Sequence, residues 1–475
     1  MIDNNIIEMF TGWSGEKPVK ITPLAKSGSD RRYFRIFSEN HKALGVFNDD
    51  ARENLAFLEF SKHFRAKGIN VPRIYDEDIS KSIYLIEDLG DTTLFSFIVE
   101  EKKKAEFTND LMKVYKKVLD ELPRLQIKAS EGLDYSICYP RADFDKQSMM
   151  WDLNYFKYYF LKLAGISFDE QALEDDFQKF TDYLLKADRH YFLYRDFQSR
   201  NIMLKDDDVW FIDYQGGRRG ALQYDLASLL YDAKAAIPQF IRNELTDYYI
   251  SNLKNHIDFD EKEFRSYFTG FVIIRILQAM GAYGFRGFYE KKAHFLASIP
   301  YALDNLSYVL ENNDIPLELN TLFSVLKAVA GSEKLRSIAD TSSRLTVQVN
   351  SFSFKRGVPV DESGHGGGFV FDCRALPNPG RYEQYKALTG RDLSVIDFLE
   401  KEPEVHKFFN NVAALVSQSV ENYLERNFDF LTVNFGCTGG QHRSVYFAER
   451  LSRYVKDNYN VKVVLRHREQ EMKGR

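Results

Sequence analysis

Apolar residues are spaced differently in successive parts of the chain, and the spacing divides it into regions. Between residues 20 and 90 the apolar runs are short and bounded by turn residues, which is typical of β-strands. From residue 92 to about residue 326, apolar residues mostly recur at helical spacing, and helices are predicted over 105–122, 150–164, 173–187 and 264–280. The pattern predicts a small β-rich lobe followed by a larger helical lobe.

The segment 194–215, which reads YRDFQSRNIMLKDDDVWFIDYQ, interrupts the helical region. Its two apolar runs, 202–204 and 209–212, flank three consecutive aspartates, a residue type that tolerates tight-turn dihedrals. This pattern predicts a β-hairpin. Asp213 follows the second strand, so the hairpin folds it back towards Asn201.

A helix-rich, polar bridge leads into a third region with a different order of elements. Strands are predicted over 344–355, 369–372, 431–435 and 461–465, and the helical spacing of Phe447, Leu451, Tyr454 and Val455 predicts a helix before the last of them. A strand, a glycine-rich turn, a helix and a further strand form a βαβ unit, which implies a parallel sheet. We therefore expect an α+β domain over 1–330, a linker over 331–343 and an α/β domain with a mostly parallel sheet over 344–475.

Composition adds three constraints. A hydrophobic content of 44% with 15% aromatic residues over 475 residues favours packed globular domains. The net charge of −5 argues against wholesale binding to nucleic acid or membrane, although a local basic patch is compatible with it. Three cysteines without metal-ligand spacing favour a reducing compartment.

The opening residues do not form a secretory leader, and the most apolar window, 270–285, looks too short and too polar to span a bilayer. A cytoplasmic protein without membrane contact is the expectation.

The segment 194–215 places three oxygen-bearing side chains in an order used in phosphoryl transfer. Asp196 can accept the proton of an attacking hydroxyl, and Asn201 and Asp213 can supply the hard oxygen ligands that Mg²⁺ prefers. An Asp followed five positions later by Asn, and then by a metal-binding Asp, is the order of a kinase catalytic loop. The alternative is an acidic surface hairpin whose polar residues only form turns.

The same stretch resembles the aminoglycoside-phosphotransferase-like kinases, distant relatives of the protein kinases that act on small molecules. Tyr194-Arg195-Asp196 stands where that family has His-Gly-Asp or His-Arg-Asp, and Asp213-Tyr214-Gln215 stands at its metal-binding triplet. Tyr224-Asp225-Leu226-Ala227 resembles the helix start whose Asp braces the catalytic loop. The resemblance implies a two-lobed, protein-kinase-like fold that uses ATP and Mg²⁺, with Asp196 as the catalytic residue and Asn201 and Asp213 as metal ligands.

Candidate nucleotide-binding residues lie upstream in the order that a kinase requires. A Gly/Ser turn can expose backbone N–H groups to phosphates. The strand 43–47 lacks the lysine that kinases use for the α/β-phosphates, so either affinity is lowered or Arg31, Arg32 or Arg35 takes that role. The segment 86–90 resembles an inter-lobe hinge that reads adenine, although a plain strand-to-helix junction fits equally well. The nucleotide-binding candidates are Ser27, Gly28, Ser29, Arg31, Arg32, Glu87 and Leu89.

Candidate acceptor residues are Arg218 and Arg219, which follow the metal-binding triplet, and Trp151 and Asp152. A solvated basic loop, a core tryptophan and a helix-start aspartate are the alternatives. The arginine run 31–35, the missing lysine and the hinge resemble the anomeric N-acetylmuramate/N-acetylglucosamine kinases over residues 10–330. That resemblance implies phosphorylation of an amino sugar at its anomeric hydroxyl in cell-wall sugar recycling. A choline-, homoserine- or antibiotic-type kinase shares the catalytic loop.

The turn 436–444, GCTGGQHRS, is a second chemical signal. Backbone N–H groups at a helix start, opened by Gly439 and Gly440 and joined by Arg443, can form an anion site. Cys437 and Arg443 also match the C-x5-R spacing of phosphatases that act through cysteine. Phosphate binding is favoured over phosphatase chemistry because no upstream acid is evident. A purely structural turn is the alternative.

The last 125 residues or so resemble the C-terminal domain of the RNase adapter family called RapZ. The likeness is carried by 371–379, Thr389-Gly390, 404–406 and the glycine-rich turn. It implies a pocket for an amino-sugar phosphate such as glucosamine-6-phosphate, and RNA as a possible partner, although the tail 466–475 is only weakly basic. An RNA-binding adapter with a degenerate kinase scaffold is the alternative function. The candidate pocket residues are Asp372, Arg374, Cys437, Thr438, Gly439, Gly440, His442 and Arg443.

Overall fold

The computed structural model describes residues 4–24, 31–290, 292–312, 315–338, 343–360, 364, 368–426, 428–459 and 461–473. The chain divides into two compact units. The first comprises Met1–Glu290 and Ser298–Ser332, and the second comprises Lys291–Ala297 and Glu333–Arg475. Each unit has its own apolar core.

The first unit begins with a helix and an antiparallel sheet. Helix α1 (Asn4–Ser14) packs its apolar face on the sheet through Ile6 and Phe10. The sheet has the order β1-β2-β3-β5-β4, with β1 Lys20–Pro23, β2 Arg32–Phe37, β3 Lys42–Phe47, β4 Ile74–Asp78 and β5 Ile83–Ile86. Between β3 and β4 runs α2 (Ala51–Ala66), whose first turn is capped by the Asp50 carboxylate. This is the predicted β-rich lobe.

The rest of the first unit is mainly helical. Its helices are α3 Leu94–Glu101, α4 Asn109–Pro123, α5 Lys146–Tyr155, α6 Lys162–Ala164, α7 Glu170–Leu184, α8 Leu222–Leu230, α9 Gln239–Leu253 and α10 Glu261–Tyr283. After α11 (Ala293–Leu296), which belongs to the second unit, come α12 Ile299–Glu311 and α13 Asn320–Ala330. Two small strand pairs interrupt the helices: β6 (Tyr191–Leu193) with β9 (Arg218–Gly220), and β7 (Ile202–Lys205) with β8 (Asp208–Phe211).

The β7–β8 pair is the predicted hairpin. Lys205 pairs with Asp208, so Asp206 and Asp207 alone form the turn. Both have positive φ, at 53° and 62°, which is the backbone of a type I′ turn and suits aspartate better than most residues. The third aspartate therefore belongs to β8.

Helix α10 continues through a π-helical turn to Tyr289. The element is therefore longer than the helix predicted over 264–280. By length and composition, Glu261–Tyr289 is the one candidate membrane span among the described residues. The expectation that this segment is too short was therefore wrong. However, 61% of its apolar window is buried inside the protein, as in a core helix, and such a helix passes the same test.

The second unit contains a four-stranded sheet with the order β11-β12-β10-β13, in which every pair is parallel. Its strands are β10 Ser343–Ser353, β11 Gly368–Asp372, β12 Phe430–Cys437 and β13 Val461–His467. Its helices are α14 Glu333–Arg336, α15 Leu393–Glu400, α16 Pro403–Glu425, α17 Arg443–Asn458 and α18 Arg468–Lys473. The carboxyl ends of all four strands meet at one edge, where the glycine-rich turn also lies. The predicted α/β class is confirmed.

Candidate functional site

The catalytic loop is held in place from behind by a buried carboxylate. Asp225 on α8 accepts hydrogen bonds from the backbone N–H groups of Tyr194 at 2.8 Å and Arg195 at 3.1 Å. Arg195 has a φ of 84°, a strained value for this residue type, and the two bonds stabilise the bend. Burial raises the pKa of Asp225 to about 7, against the effect of these hydrogen bonds. The bend presents Asp196 at the loop surface.

A buried ion pair supports the same bend. The Arg195 guanidinium donates to both carboxylate oxygens of Asp152, at 2.7 and 2.6 Å, and to the Tyr224 hydroxyl at 2.6 Å. Asp152 is 7% exposed, so its carboxylate is not offered to a sugar. The interpretation of Asp152 as a substrate ligand is corrected to that of a brace for the loop. It is not a helix-start residue either, because Asp145 caps α5.

The three oxygen-bearing side chains of the predicted site come together. The Asn201 amide donates to the Asp196 backbone carbonyl at 2.9 Å, and the Ile212 N–H donates to the Asn201 carbonyl at 3.1 Å. Asp213, with a φ of 69°, follows directly. Burial raises the pKa of the Asp213 carboxyl, and the charge of nearby Asp196 raises it further. Within the described part of the chain, no group donates a hydrogen bond to the Asp196 carboxylate.

A glutamate that sequence reasoning did not single out connects this site to the small lobe. Glu53, in the first turn of α2, receives hydrogen bonds from Asn48 at 2.8 Å and from Gln215 at 3.2 Å. The same Gln215 amide donates to Asp213 at 2.7 Å. Arg31 forms an ion pair with Glu53, with Nη2 and Oε1 3.3 Å apart. The available signal was an acidic residue at the helix start, too common a feature to be diagnostic.

Of the three arginines considered as replacements for the missing lysine, only Arg31 points into this network. Arg31 is 2% exposed, and among the described residues its Nε makes no hydrogen bond, while its Nη2 is held by the ion pair with Glu53 alone. Arg32 instead lies 4.2 Å above the Phe47 ring, and Arg35 pairs with Asp88 and Asp91. Ser27, Gly28 and Ser29 lie outside the described residues.

The hinge candidates differ in which atoms remain available. The Glu87 N–H donates to the Arg73 carbonyl at 2.9 Å, and the Glu87 carboxylate accepts from Lys205 at 2.6 Å. Neither group can contact an adenine edge. The Leu89 N–H, by contrast, has no acceptor among the described residues. The Leu89 N–H therefore stays a candidate for an adenine contact.

The remaining acceptor candidates are separated by their exposure. Arg218 is buried and donates to the Gly216 carbonyl, and burial together with the charge of Arg195 lowers its pKa to about 10. Arg219 stacks 4.4 Å from the Tyr135 ring and lies 3.5 Å from Asp143. Trp151 is 46% exposed, so the core alternative is wrong for it. Arg219 and Trp151 are accessible to a ligand, whereas Arg218 is structural.

In the second unit, the side chains of the glycine-rich turn are bound to protein atoms. Arg443 is 4% exposed and donates to the carbonyls of Arg374 at 2.9 Å and Leu376 at 2.7 Å. The buried Cys437 thiol accepts the Gly440 N–H at 3.2 Å and lies 3.1 Å from the Ser444 hydroxyl. A phosphatase-type cysteine facing an arginine is therefore not formed.

Three further pocket candidates are also paired within the protein. His442 Nε2 lies 2.8 Å from the Tyr385 carbonyl. Asp372 and Arg374 form an exposed ion pair with one another, at 2.6 Å. What the turn leaves available is backbone. Thr438 is exposed, and space around Gly439 is open, whereas Gly440 has a φ of 67° and would clash with Glu469 if it carried a side chain.

Together, the small sheet lobe, the helical lobe and the braced loop define a kinase-like phosphotransferase. Residues 20–261, half of the chain, match the phosphotransferase enzyme family, and the chain belongs to that family. Residues 345–471 match the RapZ C-terminal domain.

Individual proteins are similar to parts of this chain. A nucleotide-binding protein of Cupriavidus taiwanensis is 45% identical over 150 residues, which is 32% of this chain and 46% of the relative. One of Azoarcus sp. is 42% identical over 179 residues, 38% of this chain and 54% of the relative. The chain thus spans about half the length of the curated relatives it matches. The structure of choline kinase LicA from Streptococcus pneumoniae superposes with a TM-score of 0.43 and 13% identity, covering 64% of this chain and 98% of that one.

Proposed function

We propose that the chain is an ATP- and Mg²⁺-dependent kinase that phosphorylates an amino sugar, N-acetylmuramate or N-acetylglucosamine, at the anomeric hydroxyl. The observation that carries the proposal is the continuous connection from Arg31 through Glu53 and Gln215 to Asp213, beside Asn201 and Asp196. A nucleotide phosphate chain requires cationic and metal-binding groups side by side, and this connection supplies both.

Arg31 is suited to the role of the missing lysine. A guanidinium that is almost fully buried, with an Nε that makes no hydrogen bond to a described residue and a single ion pair at Nη2, is costly unless a ligand completes its hydrogen bonds. Phosphate oxygens are strong acceptors for a guanidinium. Glu53 holds Arg31 from one side, in the way that a helix glutamate holds the lysine of other kinases.

Asn201 and Asp213 each have an oxygen atom that could ligate the metal. The Asn201 amide nitrogen is occupied by the Asp196 carbonyl, so its oxygen is left for a cation. One oxygen of Asp213 accepts from Gln215, and the other has no donor in the described structure. Among the described residues no group of three His, Cys, Asp or Glu could hold a metal alone. Mg²⁺ would therefore take its other ligands from phosphate oxygens and water, as is usual at nucleotide sites, and would neutralise phosphate charge.

Asp196 is the base in this proposal. Its carboxylate is half-buried and has no donor among the described residues, while its backbone is fixed by Asn201 and by the Gln198 N–H at 2.8 Å. It can accept the proton of the acceptor hydroxyl as the oxygen attacks phosphorus. An anomeric hydroxyl is more acidic than an ordinary alcohol, so a single carboxylate suffices.

We further propose that the second unit binds an amino-sugar phosphate and regulates the kinase. The support is its match to the RapZ C-terminal domain and the open backbone at Thr438 and Gly439. Glucosamine-6-phosphate is the test ligand. A ligand that neither binds the full chain nor alters its kinase rate would contradict this part of the proposal.

A coupled assay of ADP release across a panel of free sugars, with choline and homoserine included, tests the kinase proposal. We expect turnover of the amino sugars and a fall in kcat of about 10²–10⁴-fold in Asp196→Asn, which removes the base and keeps the shape. Asp206→Asn, in the hairpin turn, is the matched control and should retain wild-type activity. Equal rates in the wild type and Asp196→Asn would contradict the assignment.

The match to the RapZ C-terminal domain also supports a second function, RNA binding. A gel-shift titration of the full chain with structured RNA across a salt series tests it. Binding that weakens steeply with salt, together with no ADP release on any sugar, would favour an RNA-binding adapter with a degenerate kinase scaffold.

A further inference from the structure

The segment 87–92, which leads from the sheet to α3, is bound to β2 by a single arginine. Arg35 Nη2 donates to the Asp88 carboxylate at 3.0 Å and to the Gly90 carbonyl at 3.2 Å. The Asp91 carboxylate accepts from the same Nη2 at 2.8 Å and from Nη1 at 2.9 Å. One guanidinium therefore holds three of the four residues 88–91.

The bend in this segment is specified by its buried carboxylate. The Asp88 side chain is 2% exposed, whereas that of Asp91 is 79% exposed. Asp88 also accepts the Gly90 N–H at 3.0 Å, and Gly90 has a φ of 86°, a conformation that glycine adopts readily. A buried carboxylate requires a cation and hydrogen-bond donors, and Arg35 supplies both.

The same segment is also bound to the hairpin that carries the metal-ligand candidates. The Leu204 N–H on β7 donates to the Thr92 carbonyl at 2.9 Å. Lys205, the next residue of β7, donates to the Glu87 carboxylate at 2.6 Å. Asn201 directly precedes β7. The segment is therefore held by the sheet of the small lobe and by the β7–β8 hairpin.

Leu89 lies within this fixed segment, between two residues that Arg35 holds. Leu89 is 6% exposed, and its N–H has no acceptor among the described residues. A backbone donor that is held in one orientation loses little conformational entropy when it binds a ligand. The Leu89 N–H therefore owes its fixed position to side chains that do not themselves contact the ligand.

We propose that Arg35 is a positioning residue for the nucleotide base, because by holding Asp88 and Asp91 it fixes the Leu89 N–H that lies between them. The inference rests on the proposed kinase function and gives a role to the arginine that stands outside the Asp213 network. A guanidinium suits this role because its planar fork donates to several acceptors at fixed angles, whereas a lysine supplies the charge alone. Loss of the contact should weaken binding of the base and leave binding of the phosphate chain intact.

The test separates these two parts of nucleotide binding in the full-length protein with Mg²⁺. Titration calorimetry measures the Kd of a non-hydrolysable ATP analogue and that of tripolyphosphate, which has a phosphate chain and no base. We expect Arg35→Met to raise the Kd of the analogue about tenfold, and that of tripolyphosphate by less than about twofold. Arg35→Lys should give an intermediate rise for the analogue alone. Arg31→Met should instead weaken both ligands.

A second variant avoids leaving a buried charge without its main partner. Arg35→Met removes that partner from Asp88, and Lys42, 3.7 Å away, is then the nearest cation among the described residues. Asp91→Asn changes an exposed partner of Arg35 and should raise the Kd of the analogue by about threefold, with that of tripolyphosphate unchanged. If Arg35→Met fails to fold, Asp91→Asn and Arg35→Lys decide the question.

The matched control is Lys62→Met. Lys62 bridges two carboxylates of the same lobe, those of Glu59 and Glu77, each at 2.8 Å, and neither belongs to the segment 87–92. Both Kd values should stay at their wild-type levels. If the wild type binds neither ligand, the kinase proposal itself fails. If it binds both, and the Arg35 and Asp91 variants weaken them by the same factor or not at all, the positioning role alone is wrong.

Discussion

The catalytic loop of the first unit and the glycine-rich turn of the second unit carry similar chemistry in sequence but differ in which atoms remain available. In the loop, buried partners hold the backbone, and within the described ranges the Asp196 carboxylate, the Asn201 amide oxygen and one carboxylate oxygen of Asp213 accept no hydrogen bond. In the turn, Arg443 and Cys437 are bound to protein groups, whereas Thr438 and Gly439 are exposed.

The difference shows that residue type and spacing identify a candidate site. Whether a polar atom at that site can contact a ligand depends on its hydrogen-bond partners in the folded protein. Cys437 and Arg443 have the spacing of a phosphatase, yet the arginine stabilises two carbonyls of the segment that follows β11. Arg31 was one of three arginines considered for the role of the missing lysine, and its side chain joins the network that leads to Asp213. Both arginines have a buried Nε without a hydrogen bond to a described residue, so they differ in what holds the rest of the guanidinium: two carbonyls for Arg443, and one carboxylate for Arg31.

Among the substitutions that test this comparison, the largest effect is expected from replacing Arg31. Arg31→Met should lower kcat/KM for ATP by about a hundredfold, because it removes a charge-assisted contact to phosphate. The melting temperature of the nucleotide-free variant should change little, because the substitution removes a buried Nε that has no acceptor among the described residues together with the ion pair to the partly exposed Glu53. Arg32→Met, at the neighbouring residue that stacks on Phe47, is the control. Equal kinetic losses in the two variants would contradict the role of Arg31.

The opposite behaviour is expected in the second unit. Arg443→Met should destabilise the protein by about 2 kcal/mol, because the carbonyls of Arg374 and Leu376 lose a buried charged donor. Chemical denaturation measures this loss. Cys437→Ser should leave the chain as inactive towards an aryl phosphate as the wild type. Phosphatase activity that Cys437→Ser abolishes would show that the cysteine acts as a nucleophile after all.

The smallest effect is a pH dependence from Asp225. Its pKa is raised from 3.8 to about 7, so between these values the folded state holds a proton that the unfolded chain has released. Stability from this group is therefore greatest at low pH and falls as the pH rises towards 7. Thermal unfolding from pH 5 to pH 8 should show a steeper loss for the wild type than for Asp225→Asn, which does not titrate. Identical slopes would exclude the raised pKa.

Much of the fold could be predicted because local patterns determine it. The two apolar runs on either side of 206–208 predict the β7–β8 hairpin, and the strand–turn–helix–strand order predicts the parallel sheet of the second unit. The length of α10 was missed because its continuation to Tyr289 is a π-helical turn, which helical periodicity does not reveal.

The candidate site could be predicted from the sequence only where its residues are close together along the chain. The segment 194–215, a loop followed by the β7–β8 hairpin, carries Asp196, Asn201 and Asp213. Their convergence therefore follows from local structure. Glu53 reaches them across the lobes, through Gln215, and no local pattern indicates that contact. Asp152 could be read as a sugar ligand because its partner, Arg195, lies 43 residues away in sequence. Pairings of this kind depend on tertiary packing.

Binding of a non-hydrolysable ATP analogue, measured by titration calorimetry with and without Mg²⁺, tests the central claim most directly. The account predicts tight binding with Mg²⁺, weaker binding in EDTA, and loss of this difference in Asp213→Asn. Binding that is equally tight in EDTA, or a metal dependence that Asp213→Asn leaves intact, would contradict a nucleotide–metal site built on the catalytic loop.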